Sequence, residues 1–308
     1  MHDGSRIGLV LHPRRDCGAA AAQVAAWTTT HDVELVAGVE DVERLQLQGV
    51  TPVGVEELAS SVDGLIALGG DGTLLGAMRL VAAAPVPVLG VNFGRLGFLT
   101  AVEARELDSA LTAMAEGRST VEARSCLVVS GPGWEAVAFN DVVLARVPGQ
   151  GQVEGVLSVA GRRYGRYRCD SLIVASPMGS TAYNYAAGGP VMSPGAAGVL
   201  VTPSAPMSGI SRTVLVGPAE PLQLEISGGR PAMEIDGIWS GECGVGDVVT
   251  VVSRPDAGLL VRIDDSRAAD RSRVKLSLLD LPLLPDELVE LVPDDLRPRH
   301  APQPRREE

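Results

Sequence analysis

Aromatic side chains are scarce in this chain: Phe, Tyr and Trp together make up 3% of its 308 residues. Its cores must therefore be packed from Val, Leu, Ile and Ala, and with 45% hydrophobic residues there is material for two domains of ordinary size. Cysteine is thin as well. Cys17, Cys126, Cys169 and Cys243 lie far apart without a Cys-x-x-Cys pair, and the four histidines are scattered. That spacing excludes a disulfide framework and a structural zinc site, and it suits a reducing, cytoplasmic setting. No apolar run reaches membrane-spanning length, and the apolar segment at residues 7–11 is too short for a signal peptide. Positive charge is also wanting, with a net charge of −12 and a pI near 4.9. The one basic cluster before the tail is Arg162, Arg163, Arg166 and Arg168. Nucleic acid and anionic membranes are poor partners for such a chain.

What the sequence does hold is a rhythm of apolar runs. Residues 7–11 read as a buried strand, 17–30 as an alanine-rich helix and 33–36 as a second strand, a βαβ beginning. Residues 40–62 mix signals, with one helix at 55–60. A strand at 64–68, a helix at 73–83 and a buried strand at 88–91 follow. Alternating strands and helices, with glycine-rich turns at the strand C-terminal ends, predict a Rossmann-like parallel sheet with its ligand crevice at those ends. After a helical stretch at 104–116 the texture changes. From 119 to about 253, short Val, Leu and Ile runs alternate with Gly, Pro, Asn and Asp, the pattern of an all-β, antiparallel domain. The expected organisation is an α/β domain over residues 1–118, a β-rich domain over 119–265, and a segment at 266–296. Residues 259–261 and 274–281 are candidates to pack back on the first domain. A polar tail at 297–308 is expected to be disordered.

The chain is organised around Leu65-Ile66-Ala67-Leu68-Gly69-Gly70-Asp71-Gly72-Thr73, a buried strand running into three glycines around one carboxylate before a helix. Gly69, Gly70 and Gly72 leave backbone amides bare for a diphosphate, and the helix start beyond Thr73 adds the positive end of its dipole. Asp71 repels phosphate, so its function there is metal ligand or base; equally, Asp71-Gly72 is a tight turn with Thr73 as N-cap. Asn140-Asp141, ahead of an apolar strand, offers adjacent acceptors for a pair of vicinal hydroxyls, or forms an ordinary turn. The densest stretch runs from Arg168 and Asp170 through Ser176-Pro177-Met178-Gly179-Ser180-Thr181-Ala182-Tyr183 to Gly188-Gly189-Pro190. It is longer than a turn requires, and it exposes enough backbone and hydroxyls to wrap a flat base and its sugar.

In this order and spacing, Gly69-Gly70-Asp71-Gly72-Thr73, Asn92 with residues 94–99, Asn140-Asp141, Asp170 and the Gly179-Ser180-Thr181-Ala182-Tyr183 run resemble the NAD kinase family over about residues 5–280. The glycine turn is shared with phosphofructokinases and lipid kinases; the Gly-Ser-Thr-Ala-Tyr run is the specific part. The resemblance implies an α/β ATP-binding domain and a β-sandwich-like NAD-binding domain, assembled as homodimer or homotetramer. It implies phosphoryl transfer from ATP, or polyphosphate in some members, to the 2′-hydroxyl of the adenosine ribose of NAD, with Mg²⁺ or another divalent cation. By the same resemblance Asp71 is the proton acceptor. Gly69, Gly70, Gly72 and Thr73 border the nucleotide, Asn92 borders the dinucleotide, and Asn140 and Asp141 hold ribose hydroxyls. Arg168 and Asp170 contact dinucleotide, in part from a neighbouring subunit, and Ser180, Thr181, Ala182, Tyr183 and Ala186 line the NAD pocket. No lysine is close to the glycine turn, so backbone and metal take the place of a Walker lysine. Arg79 and Arg95 are candidates for phosphate contacts or for structural roles.

The chain departs from the family pattern at several positions. Asp141 stands where glutamate is usual, Ser171 replaces a glycine, Ser176-Pro177-Met178 replaces Thr-Pro-Thr, Met207 replaces a histidine, and Ile238 takes a polar position. These changes admit a second reading, a catalytically weak NAD(P)-binding paralogue with a regulatory role. A lipid or small-molecule kinase sharing only the glycine turn is a third.

Overall fold

Strands and helices alternate through the first third of the chain, where the central strands are buried apolar runs and the longer helices carry a buried apolar face. A computed structural model describes residues 4–93, 99–100, 102–193 and 195–263. The order is β1 (Arg6–Leu11), α1 (Gly18–Thr30), β2 (Glu34–Gly38), α2 (Val39–Leu45), β3 (Thr51–Val53), α3 (Val55–Ser60), β4 (Gly64–Gly69), α4 (Asp71–Leu80) and β5 (Pro87–Asn92). The strands pair in parallel, with β1 between β2 and β4, β3 outside β2 and β5 beyond β4. The mixed stretch at 40–62 resolves into α2, β3 and α3. It gave little periodic signal because α2 fully buries none of its residues and α3 only Leu58.

After β6 (Val102–Glu103) and α5 (Leu107–Ala115) come β7 (Thr120–Gly131), β8 (Trp134–Ala138), β9 (Asp141–Ala145), β10 (Val153–Val159), β11 (Arg162–Cys169) and β12 (Ser171–Ala175). A 3₁₀ turn (Met178–Thr181) and the short α6 (Tyr183–Ala186) interrupt before β13 (Val199–Ser204), β14 (Ser208–Gly209), β15 (Val214–Val216), β16 (Leu222–Gly228), β17 (Ala232–Ile235), β18 (Ile238–Glu242) and β19 (Val248–Arg262). Six of these strands form an antiparallel sheet in the order β15-β13-β12-β9-β17-β18. It packs through Leu144, Leu172, Val174 and Val201 against Leu127, Leu157, Leu224 and Val251 of the other β-rich strands.

Those other strands are not a separate sheet. The long β19 pairs antiparallel with β16 and β7, and then its Leu259 and Leu260 run parallel to Pro87 and Val88 of β5. One thirteen-stranded sheet therefore crosses both halves, and residues 259–261 return to the α/β layer as a parallel strand. The expected runs at 274–281 and the tail at 297–308 lie outside the described residues, as do Arg95 and most of the 94–99 motif.

A core cluster common to both halves fixes where the crevice lies. Leu74, Leu75 and Met78 of α4 pack with Phe139, Met178 and Leu260. Phe139, fully buried, carries one of the chain's three phenylalanine rings to this joint. Gly258 of β19 permits the approach: a Cβ there would overlap Met78 Cε and lie 2.7 Å from Phe139 Cε1. The helix that starts at Asp71 is thus pressed against the residue that precedes Asn140.

Candidate active site

The glycine turn is assembled from strand ends. All of β4 is buried, and its last residue, Gly69, is in register with Asn92 at the end of β5. The amide of Phe93 donates to Gly69 O at 2.9 Å, and Asn92 is itself buried. Gly70 caps α4 with extended backbone, so Asp71 is the first helical residue and the helix begins earlier than the sequence pattern indicates. Thr73 is not the N-cap. Its side chain folds back over Gly69, where a Cβ would overlap Thr73 Oγ1, so the close approach requires glycine. Gly72 faces open space. Asp71 is held from a distance: its Oδ1 accepts the N–H groups of Leu99 and Thr100, each at 3.1 Å, and the Thr100 hydroxyl at 3.4 Å.

Asn140 and Asp141 sit at the entry to β9, positioned by a residue from the β17–β18 turn. Asp236, in the left-handed region at φ 49°, has a fully buried carboxylate. That carboxylate accepts the backbone N–H groups of Phe139, Asn140 and Asp141 at 3.1, 2.7 and 3.2 Å. Its remaining charge is met by Arg79 Nη1 of α4 at 2.7 Å. Arg79 is therefore a clamp between the helix that begins at Asp71 and the Asn140-Asp141 turn. Asn140 Oδ1 is buried with no hydrogen-bond partner among the described residues. Asp141 is 4% exposed, and its carboxyl is pushed up to about 7. Burial is the main cause; the Asp236 and Glu234 charges add to it, and a backbone N–H of Tyr183 opposes it.

The Gly-Ser-Thr-Ala-Tyr run packs directly on that turn. Ser176 donates its amide to Asn140 O at 2.9 Å and its hydroxyl to Phe139 O, then accepts the Gly179 N–H at 3.1 Å. A Cβ on Gly179 would overlap the Asn140 carbonyl. Ser180 is fully buried and pins the loop, donating to Pro177 O at 2.7 Å and accepting the Met192 N–H at 2.9 Å. Asn184 does the same with Ser180 O, Pro190 O and the Thr202 hydroxyl. Thr181 and Ala182 are half-buried, while Tyr183 and Ala186 are exposed. The Tyr183 hydroxyl lies 3.5 Å from Ser171 Oγ at the far end of β12. Arg168 and Asp170 lie at that end too, away from Asp71 and Asp141, and engage Glu154 and Arg146 respectively.

Residues 9–119 match the model of the ATP-NAD kinase N-terminal domain and residues 139–263 that of the ATP-NAD kinase C-terminal domain. The chain is 33% identical to NAD kinase 1 of Streptomyces avermitilis over 90% of its own length and 88% of that protein. It belongs to the NAD kinase family. NAD kinase 1 of Streptomyces coelicolor is 34% identical over 90% of this chain and 87% of that one, and the NAD kinase of Symbiobacterium thermophilum 40% over 70% and 79%. Among solved structures, the fold is similar to yeast NADH kinase complexed with NADH, at a TM-score of 0.82 and 21% identity over 92% of this chain and 90% of that one. It is also similar to an NAD kinase from Archaeoglobus fulgidus in complex with ATP, at 0.66 and 24% over 88% and 98%.

The departures from the family pattern acquire structural meaning. Ser176 keeps the hydroxyl of the usual threonine and uses it on Phe139, while Met178 is buried in the joint core. Ser171, in place of glycine, reaches Tyr183. Met207 and Ile238 are 69% and 55% exposed. Two features escaped the sequence reading. Asp236 was visible only as part of an Asp-Gly pair, a common turn. The β1–α1 turn is folded onto His12, whose Nδ1 accepts the N–H groups of Arg14 and Arg15 at 3.1 and 3.0 Å. Arg15 Nη1 then donates to Phe93 O at 3.3 Å, bringing a guanidinium to the ends of β4 and β5. Burial, with the charges of Arg15, Arg14 and Arg44, lowers the His12 pKa and favours the neutral ring that can accept. No group of three or more His, Cys, Asp or Glu gathers as a metal cage among the described residues.

Proposed function

We propose that this NAD kinase transfers the γ-phosphoryl group of ATP to the 2′-hydroxyl of the adenosine ribose of NAD, with Asp71 as the general base. The observation that carries the assignment is the Arg79–Asp236 clamp, which ties the helix of Asp71 to the Asn140-Asp141 turn. With Phe139 packed on Leu74, Leu75 and Met78, the helix that begins at the glycine turn and the pair of hydroxyl acceptors are thereby joined in one unit. Asn140 Oδ1 and the Asp141 carboxyl accept the ribose hydroxyls, and Thr181, Ala182 and Tyr183 flank the adenosine. Asp71 takes the 2′-hydroxyl proton as that oxygen bonds to the γ-phosphorus and the bond to the ADP oxygen breaks. Gly70, Gly72 and the start of α4 face the phosphates, with Arg15 of the β1–α1 turn the nearby cation. The chain's single lysine, Lys275, lies outside the described residues. With Asp71 as the base and its Oδ1 taken by the Leu99 and Thr100 N–H groups, Mg²⁺ would be held through the ATP phosphates and water. When bound, Mg²⁺ spreads the charge on the transferring group.

In this reading residues 1–118 serve ATP and residues 119–265 serve NAD. Arg168 and Asp170, placed at the Tyr183 end of β12, contact the dinucleotide of a neighbouring subunit in a homodimer or homotetramer. A cytoplasmic location fits four buried cysteines, all unpaired, and no described helix is long and apolar enough to cross a membrane. Purified protein with ATP, Mg²⁺ and NAD is expected to form NADP. Asp71→Asn should lower turnover by about 10²–10⁴-fold while NAD still binds; retained turnover removes Asp71 as the base. Exposed Ile238 and Met207, where the family has polar groups, favour the regulatory alternative if wild-type protein binds NAD and makes no NADP.

A further inference from the structure

The peptide that holds Asp71 is itself held from the other half of the molecule. Leu99 and Thr100 belong to no helix or strand, and a loop peptide keeps one orientation only if something fixes it. Arg262, the last residue of β19, donates from Nη1 to Leu99 O at 3.1 Å and from Nε to Glu122 Oε2 of β7 at 2.8 Å. Glu122 is also ion-paired with Arg124. The side chains of Arg262 and Arg124 are 13% and 10% exposed and that of Glu122 is 38% exposed, so the guanidinium side of these contacts is shielded from water. Burial works to raise the Glu122 pKa, but Arg262 and Arg124 outweigh it and hold the carboxylate ionised.

The Leu99 carbonyl and the Thr100 N–H are the two ends of one planar peptide unit. Arg262 grips the oxygen and Asp71 accepts the N–H at 3.1 Å, so fixing one end aims the other. A cation on the carbonyl also polarises the unit toward a stronger N–H donor. Room for this arrangement comes from Gly90 of β5, where a Cβ would stand 3.2 Å from Thr100 Cγ2 and 2.9 Å from Leu74 Cδ2.

We propose that Arg262, braced by Glu122, is a positioning residue for phosphoryl transfer: through the Leu99–Thr100 peptide it fixes the Asp71 carboxylate in line with the attacking hydroxyl. This rests on Asp71 being the base. A misplacement of about 1 Å in a reacting group costs on the order of 10²-fold in rate.

The test uses the full chain. Arg262→Gln should lower kcat by about 10- to 100-fold, while KM and Kd for NAD stay within about twofold of wild type. Arg262→Lys should recover part of kcat, because an ammonium reaches Leu99 O without the planar fork that also grips Glu122. Glu122→Gln should move kcat in the same direction by less. An unchanged kcat in Arg262→Gln overturns the proposal, as does a kcat loss matched by an equal loss of NAD binding. If Arg262→Gln fails to fold, Arg262→Lys decides: full kcat or weakened NAD binding counts against the relay, and lowered kcat with intact binding supports it. Asp71→Asn separates the two ideas, since an active Asp71→Asn enzyme removes the base, whereas an inactive one beside a fully active Arg262→Gln enzyme removes only the relay.

Discussion

Asp141 shows how one residue takes its chemistry from its surroundings. A carboxyl ordinarily ionised at neutral pH is pushed up to about 7 here, first by burial and then by Asp236 and Glu234. An acid whose folded pKa lies above its unfolded value binds its proton more tightly when folded. Stability is therefore lost as pH rises from the unfolded value of 3.8 through about 7, and the loss is complete above that. Asp141→Asn removes the titration, so its melting temperature should match wild type near about pH 3, below both values, and exceed it near about pH 8. An equal difference at both pH values would show that Asp141 is not the titrating group. The substitution of aspartate for glutamate was visible in the sequence; its proton affinity was not, because it comes first from burial by packing and then from Asp236, which is 95 residues away in the chain and arrives only with the β17–β18 turn.

Among the elements, the 3₁₀ turn Met178–Thr181 depends most on close contact. Gly179 lies against the Asn140 carbonyl, with backbone on both sides and no flexible side chain to yield. Gly179→Ala must push the turn off β9, which at overpacking costs of about 1–3 kcal/mol should lower the urea midpoint and also weaken NAD binding. Wild-type binding and stability in that variant would show that the turn and Asn140 move independently. The sequence placed this run as a long exposed loop around a base, and its ends were legible in Pro177 and Gly188-Gly189-Pro190. Which of its hydroxyls face inward was not. Ser180 and Asn184 are consumed in holding the loop's shape, a division of labour set by tertiary hydrogen bonds. The helix α4 is similar: its apolar face was readable, but its start at Asp71 depends on Gly70 and on Thr73 folding back over Gly69.

At the scale of the whole molecule, β19 decides the mechanics. It is hydrogen-bonded to β16 and β7 in one half and to β5 in the other, and the cluster around Phe139 and Met78 seals the same junction. Neither half buries this surface without its neighbour, so unfolding should be cooperative across both. Far-UV circular dichroism and tryptophan fluorescence, with Trp27 in α1 and Trp134 in β8, should give coincident denaturant transitions. Two separated transitions would show that the halves unfold independently.

By itself, the sequence determined the elements whose apolar period is strong, the parallel start and antiparallel continuation of the chain, and which polar side chains stand at Asp71, Asn140 and Asp141. Those are properties of contiguous residues, written in spacing and side-chain type. Only the tertiary structure decided that one sheet runs through both halves, that Asp236 and Arg79 clamp α4 to the Asn140-Asp141 turn, and that Arg262 reaches the peptide holding Asp71. Each of these joins residues far apart in the chain, through strand pairing or through ion pairs and hydrogen bonds whose partners are fixed by packing and leave no local pattern to read.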